Sequence, residues 1–314
     1  MGQDRMPPLG QRRLGRSVAW RVLGPFAAAL LALVSIMPGA AAASSTWTKN
    51  LWMTGTFLYQ DPYYTACTAA TTMFMLNTIA LRGTGGPGFT WRSSTAKNDP
   101  ANPHDLTSIL AWERQNDTLA ASSNGSDAHG WRNALNYFGW GRDAMIDPAR
   151  MVYQDHAFTS FAAAVHAAVS ALARYDKPVG ILAWAGGHAQ VLTGYVATGD
   201  DPRRSNDFSV AYVWLSDPLK SDGYVDRKIS VTSLQSGDLH YRFRSYLETD
   251  SPYDDPFTPG YLPASVPATT SASEWYRRWV IVAPVRTQLP PPLGGAKTSP
   301  TRRPASTIPP SPVP

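Results

Sequence analysis

The chain has 314 residues, 28 of them Lys or Arg and 23 Asp or Glu, a formal charge of +5, and it contains a single cysteine. The excess charge sits at the ends: Arg5, Arg12, Arg13, Arg16 and Arg21 against Asp4 give the first 43 residues +4, Lys297, Arg302 and Arg303 give the tail from Leu289 +3, and the body keeps −2. The body therefore has no basic excess to recruit nucleic acid, and one cysteine excludes an intramolecular disulfide framework.

At the amino terminus the basic leader runs into "VLGPFAAALLALVSIM" and then the small-residue run "PGAAAASS". This order reads as a secretory signal peptide, with cleavage expected near Ala43. The apolar run is short for a membrane span of about 20 residues, and Pro25 interrupts it, so an uncleaved anchor is the weaker alternative. The expected location is secreted or cell-surface, extracytoplasmic, with no stable membrane insertion after cleavage. Residues 44–288 are long enough for one well-cored domain. Residues 289–314, "LPPPLGGAKTSPTRRPASTIPPSPVP", are too proline-rich and apolar-poor to repay ordering. They are expected to be a disordered tail, either a spacer to a cell wall or a solvated end.

Along the body, Ala69, Ala70, Met73, Phe74, Leu76, Ala80 and Leu81 follow helical spacing, with Thr65 as the expected N-cap and Gly83 as the stop. Residues 83–104 read as a long Gly/Pro loop. Asp105 can cap "LTSILAWERQ", with Leu106, Ile109 and Leu110 facing inward. A short helix, "GWRNALNYFG", is expected to stop at Gly139. The longest helical pattern is "TSFAAAVHAAVSALARY", with Phe161, Val165, Val169 and Leu172 on one face. After Lys177, "PVGILAWAG", "HAQVLTGYVA" and "FSVAYVWLS" read as antiparallel strands, the last two joined by "TGDDPRRSND". Residues 219–270 read as irregular, and "WYRRWVIVAPV" (275–285) as a late returning strand. Helices followed by strands argue for an α+β fold.

A lone thiol in an exported chain is a small buried hydrophobe, an intermolecular bridge or a reactive group. Cys67 falls in the first turn of its expected helix, where free backbone N–H groups and the positive helix end favour an anion. A cysteine nucleophile also needs a base, a group to orient that base and donors for the oxyanion. Of six histidines, His166 lies within the long helix, His104 and His156 near helix starts, and His129 and His240 lack a telling context. His188 opens a strand behind Gly186 and Gly187, which leave room for a backbone or a substrate. If that strand pairs with the next one, Asp217 at its end reaches the imidazole and can hold its tautomer. Asn206 or Asp207 can replace it only with a shorter hairpin. Gln60 and the Cys67 backbone N–H are the candidate oxyanion donors.

Gln60, then Cys67 heading a helix, then a Gly-His strand running to Gly194-Tyr195, then the strand-ending Asp217-Pro218, resembles the papain-like cysteine peptidases. The nearest branch is the bacterial one related to the double-glycine leader peptidases that process bacteriocins. The resemblance implies a papain-like α+β fold with amino-terminal helices packed on an antiparallel sheet. It also implies a thiol-protease triad, with Cys67 as nucleophile, His188 as base and Asp217 as orienter, Gln60 in the oxyanion hole, no cofactor and no metal. The chain reads Thr68-Ala69-Ala70 where the family has Gly-Pro after the cysteine, so the side chain at 68 is expected to narrow the approach to sulfur.

The expected function is a secreted hydrolase cutting peptide or protein substrates through an acyl-enzyme on Cys67. Two alternatives stay open. One is a non-catalytic secreted binding module on the same fold, prompted by the change after Cys67 and by the acidic, aromatic stretch 217–261. The other is a cell-wall peptide amidase or transpeptidase using the same thioester. The Ser-x-x-Lys match at 94–97 lies in a loop without its companion motifs, and no Walker loop, Gly-x-Ser-x-Gly elbow or zinc-spaced His/Cys cluster occurs. The eleven tryptophans are scattered, as core or groove residues would be.

Overall fold

A computed structural model of the chain describes residues 44–87, 105–119, 124–220, 224–236, 239, 241–246 and 274–289. The leader, the Ser-x-x-Lys match, His104, His240, most of the loop 83–104, much of 219–270 and the tail beyond Leu289 lie outside the described residues.

The first helix, α1 (Cys67–Arg82), is buried without a break from Thr68 to Ile79. A helix buried all round can carry threonines only if their hydroxyls find partners. Thr71 donates to the Cys67 and Thr68 carbonyls, Thr78 to that of Phe74, and Thr68 and Thr72 to a neighbouring carboxyl. Ala66, with no side-chain cap, holds the N-cap position in place of the expected Thr65, so Cys67 is the first helical residue. Gly83 ends α1 at φ 65°, the left-handed conformation that a residue without a Cβ adopts cheaply.

Helix α2 (Leu106–Gln115) is capped by the Asp105 side chain, which accepts from the Ser108 N–H. Its buried stripe is Leu106, Ile109 and Glu113, and Leu110 is only partly covered. Helix α3 (Ala128–Trp140) passes through Gly139 and is capped by Gly141 instead. A glycine inside a helix costs only about 1 kcal/mol, and here its bare Cα lets α3 approach Leu76 of α1. After the short α4 (Arg142–Ile146) comes the unanticipated strand β2 (Tyr153–Phe158), then α5 (Phe161–Tyr175), capped by Ser160.

The other strands are β1 (Thr46–Asn50), β3 (Val179–Ala183), β4 (His188–Gly199), β5 (Phe208–Ser216), β6 (Arg227–Ser230) and β7 (Trp279–Pro284). The stretch expected to be irregular therefore contains β6 and the helix α6 (Val231–Ser236). All pairings are antiparallel, in the order β2-β7-β3-β4-β5-β6. Strand β4 is long enough to pair with β3 through its first half and with β1 through its second, both on the side away from β5.

Alternate residues of these strands enter two separate cores, as a period of two requires. Ala189 and Val191 of β4, Leu182 of β3, and Val280 and Val282 of β7 pack with α1, α2 and α3. Val179 and Ile181 of β3, with Ile281 and Ala283 of β7, pack with α5. The fold is thus α+β, as expected, with an antiparallel sheet carrying helices on both faces. Gly180 shows how close the layers come: a Cβ there would lie 2.2 Å from the Trp131 ring of α3.

Candidate active site

The β4–β5 hairpin does what the sequence spacing requires. Val191 pairs with Ser216, so the residue opening β4 and the one just past β5 share one end of the sheet. There the His188 Nε2 stands 2.8 Å from Asp217 Oδ1, both side chains buried. The Leu219 N–H donates to the same oxygen at 2.8 Å, and Gln190 Nε2 donates to Oδ2 at 2.5 Å. The carboxylate thus has three partners in a site without solvent.

Cys67, half-buried at the head of α1, is in hydrogen-bonding contact with His188. With Nε2 given to Asp217, Nδ1 is the ring nitrogen left to face sulfur. Burial disfavours a charged imidazole, but the charge and hydrogen bond of Asp217, joined by the contact with Cys67, outweigh it. His188 is pushed up from 6.5 to about 10.

The segment ahead of Cys67 is tied to the same end of the sheet. The Gln60 N–H donates to the Pro218 carbonyl at 2.8 Å, and the Lys220 N–H to Asp61 Oδ2 at 3.2 Å. Gln60 itself is buried. Its Nε2 donates to the Tyr64 carbonyl at 2.7 Å and the Tyr63 carbonyl at 3.3 Å, closing the turn that leads into α1. Its Oε1 is buried and has no hydrogen-bond partner among the described residues. Gln60, Cys67, His188 and Asp217, spread over 158 positions of sequence from 60 to 217, therefore meet in one place.

Behind His188 the chain is under local strain. Trp184, Ala185 and Gly186 have φ of 49°, 52° and 95°, a left-handed run that L-residues adopt only when their surroundings enforce it. The Trp184 N–H is held by the Arg242 carbonyl at 2.8 Å, and Trp184 and Tyr241 pack against each other. Tyr241 also packs against the imidazole, ring centroids 4.4 Å apart. Gly186 makes room for the ring of Tyr246, 2.2 Å from where a Cβ would sit. Its freedom serves a packed side chain here, rather than the backbone or substrate that the sequence suggested.

Thr68 is also placed differently from expectation. It is buried, and its hydroxyl donates at 2.6 Å to Glu113 Oε2 of α2, while Thr72 donates to Oε1 at 2.9 Å. The side chain after the cysteine thus anchors the helix to its neighbour and does not stand over the sulfur. Burial pushes Glu113 up to about 8, against the two threonine hydrogen bonds and with help from the charges of Asp117 and Asp127.

Sequence reasoning missed Gln190, Tyr241 and Glu113. Gln190 was findable, because two residues beyond His188 on a strand is the same side. Glu113 follows Ile109 at helical spacing, but a charged type in that register ordinarily reads as surface. Tyr241 arrives from a segment with no periodicity. The other described histidines stand elsewhere: His166 of α5 stacks on Phe208, His156 lies on β2, and His129 is in the first turn of α3. Asn206 is in the turn before β5, at the opposite end of that strand from Asp217, and lines a groove of about 450 Å³ along α5.

Comparison with protein-family models, with curated proteins and with solved structures finds no match to this chain. Among the described residues, no helix is long and apolar enough to cross a membrane.

Proposed function

We propose that this protein is an exported cysteine peptidase of papain-like architecture, hydrolysing peptide bonds through a thioester on Cys67. One observation carries the reading: a partly buried cysteine at a helix start contacts a buried histidine whose other nitrogen is fixed by a buried, hydrogen-bonded aspartate. A structural cysteine has no need of that company.

In this reading Cys67 sulfur gives its proton to His188 and attacks the substrate carbonyl carbon. The charge that develops on the oxygen is met by the Cys67 backbone N–H. Gln60 can join it by turning the N–H of its longer contact, to Tyr63, toward the oxyanion. His188 returns the proton to the leaving amine, the C–N bond breaks, and a thioester remains. Water then gives a proton to His188, attacks the thioester carbon and releases the acid and the free thiol. Asp217 keeps Nε2 protonated and the ring oriented while Nδ1 handles the proton. Attack by an amine instead of water gives transpeptidation from the same thioester. The signal-like leader supports an extracytoplasmic site of action.

The test is the alkylation rate of Cys67 with iodoacetamide against pH, alongside His188→Ala, followed by a peptide-library digest with Cys67→Ala as the blank. The reading expects fast alkylation already at mildly acidic pH, slowed at least tenfold by His188→Ala, and cleavage that Cys67→Ala abolishes. Slow alkylation indifferent to residue 188 would overturn it and leave a binding module on this fold.

A further inference from the structure

We propose that His129, Asp155 and Glu274 form a binding site for a divalent transition-metal ion of the zinc type. The three come from separate elements: the first turn of α3, the middle of β2, and the turn leading into β7. His129 Nε2 lies 3.3 Å from Asp155 Oδ2 and 2.8 Å from Glu274 Oε1, and all three donor atoms fall within 4.8 Å of one another. Tetrahedral zinc, with bonds of about 2.0–2.2 Å to nitrogen and oxygen, holds its ligands roughly 3.3 Å apart. The donors need little movement to receive the ion.

The surroundings of these residues argue more strongly than the distances. Thr118 donates its hydroxyl proton to Asp127 Oδ2, so its oxygen is an acceptor toward His129 Nδ1, 3.3 Å away. That assigns the proton of a neutral imidazole to Nδ1 and leaves the Nε2 lone pair directed between the two carboxylates. An orienting partner on the far nitrogen is the usual support of a metal-binding histidine. Asp155 is held in a similar way: Arg132 occupies Oδ1 at 2.7 Å, and the Trp275 indole N–H approaches Oδ2 at 3.3 Å. One carboxylate oxygen is thus secured while the other is presented to His129.

The charges also fit. A doubly charged ion and Arg132 would face Asp127, Asp155 and Glu274, and the formal charges cancel. One nitrogen and two carboxylate oxygens suit zinc or a neighbouring first-row ion better than calcium or magnesium, which favour oxygen alone. Asp155 and Glu274 are largely and half covered respectively, so the fourth position opens toward solvent. The ion would replace a proton shared between Nε2 and the carboxylates, and would clamp α3, β2 and the entry to β7 at one point. No sequence motif announces the site, since the ligands stand 26 and 119 positions apart and match no zinc spacing.

The experiment uses the full chain carrying Cys67→Ser, so that the thiol cannot compete, after treatment with a chelator. Zn²⁺ is titrated by calorimetry and Co²⁺ by visible absorbance. One equivalent should bind with micromolar or tighter affinity, and His129→Ala and Glu274→Gln should each weaken binding at least tenfold. Glu274 stands 52 % exposed, so its amide variant reports on the site even where the His129 variant disturbs packing. No saturable uptake, or equal affinity in parent and Glu274→Gln protein, would overturn the proposal.

Discussion

Asp217 has three donors on two oxygens and no solvent, so replacing it tests orientation more than charge alone. In Asp217→Asn one carboxylate oxygen becomes an NH₂ group facing Gln190, Leu219 or His188, each of which needs an acceptor. The proposed peptidase should lose roughly 10²- to 10⁴-fold in kcat/KM, with Cys67 alkylation shifted to higher pH. The same substitution has a stability signature. His188 is raised above its ordinary 6.5 to about 10, so its ion pair contributes fully below pH 6.5 and fades as pH rises toward 10. Removing Asp217 removes the main cause of the rise. Urea denaturation between pH 6 and 10 should therefore show the variant losing less stability across that range than the parent.

At the level of elements, β3 and α3 approach each other closely. A Cβ on Gly180 would meet three atoms of the Trp131 ring, the nearest at 2.2 Å and the farthest at 2.9 Å, and Trp131 is completely buried. With the ring fully buried, the helix must lift or the strand must shift to admit the methyl group. Gly180→Ala should cost about 1–3 kcal/mol in urea denaturation. Trp131→Phe, harmful alone, should recover part of that loss in the double variant. The strain in Trp184–Gly186 belongs to the same architecture. Its left-handed backbone turns the chain from β3 into β4 and aims His188 at Asp217, and the Arg242 carbonyl and Tyr241 hold it from one side.

Across the molecule, α1 is held to α2 by a buried carboxyl rather than by apolar contact alone. Glu113 takes the hydroxyls of Thr68 and Thr72 with no solvent contact, and burial pushes it from 4.5 up to about 8. The folded state therefore holds a proton that the unfolded chain releases above pH 4.5. Stability contributed by this group is full below that pH and falls as pH rises, until the folded carboxyl ionises near 8. The loss should be of order 5 kcal/mol at most, at 1.36 kcal/mol per pH unit. Glu113→Gln cannot ionise, so the gap between parent and variant measured from pH 4.5 to 8.5 should move steadily in the variant's favour. An unchanged gap would mean that Glu113 is already ionised in the folded protein. The link reaches the proposed nucleophile because Thr68 follows Cys67 directly.

How much of this was legible in the sequence follows from the range of the forces involved. Local signals sufficed for α1, α2, α5, β3, β4, β5 and β7, because apolar periodicity, Asp105 as a cap and Gly83 as a stop act within a few residues. The antiparallel β4–β5 hairpin was legible for the same reason, and with it the meeting of His188 and Asp217. Strand β2 was not, since "YQDHAF" carries no alternation and becomes a strand only by pairing with β7, from the far end of the chain. Gly139 misled because packing against α1 outweighs the weak helix preference of one glycine. Gly186 and Thr68 misled because what fills the space beside a residue is a tertiary fact, here Tyr246 and Glu113. The sequence by itself determined the elements and the pairing that local periodicity and turns encode. Only the tertiary structure decided which distant side chains share a buried place: Gln190 on Asp217, Glu113 on Thr68, and His129 between Asp155 and Glu274. Such contacts depend on the whole chain closing around them, and no short window of residues contains that information.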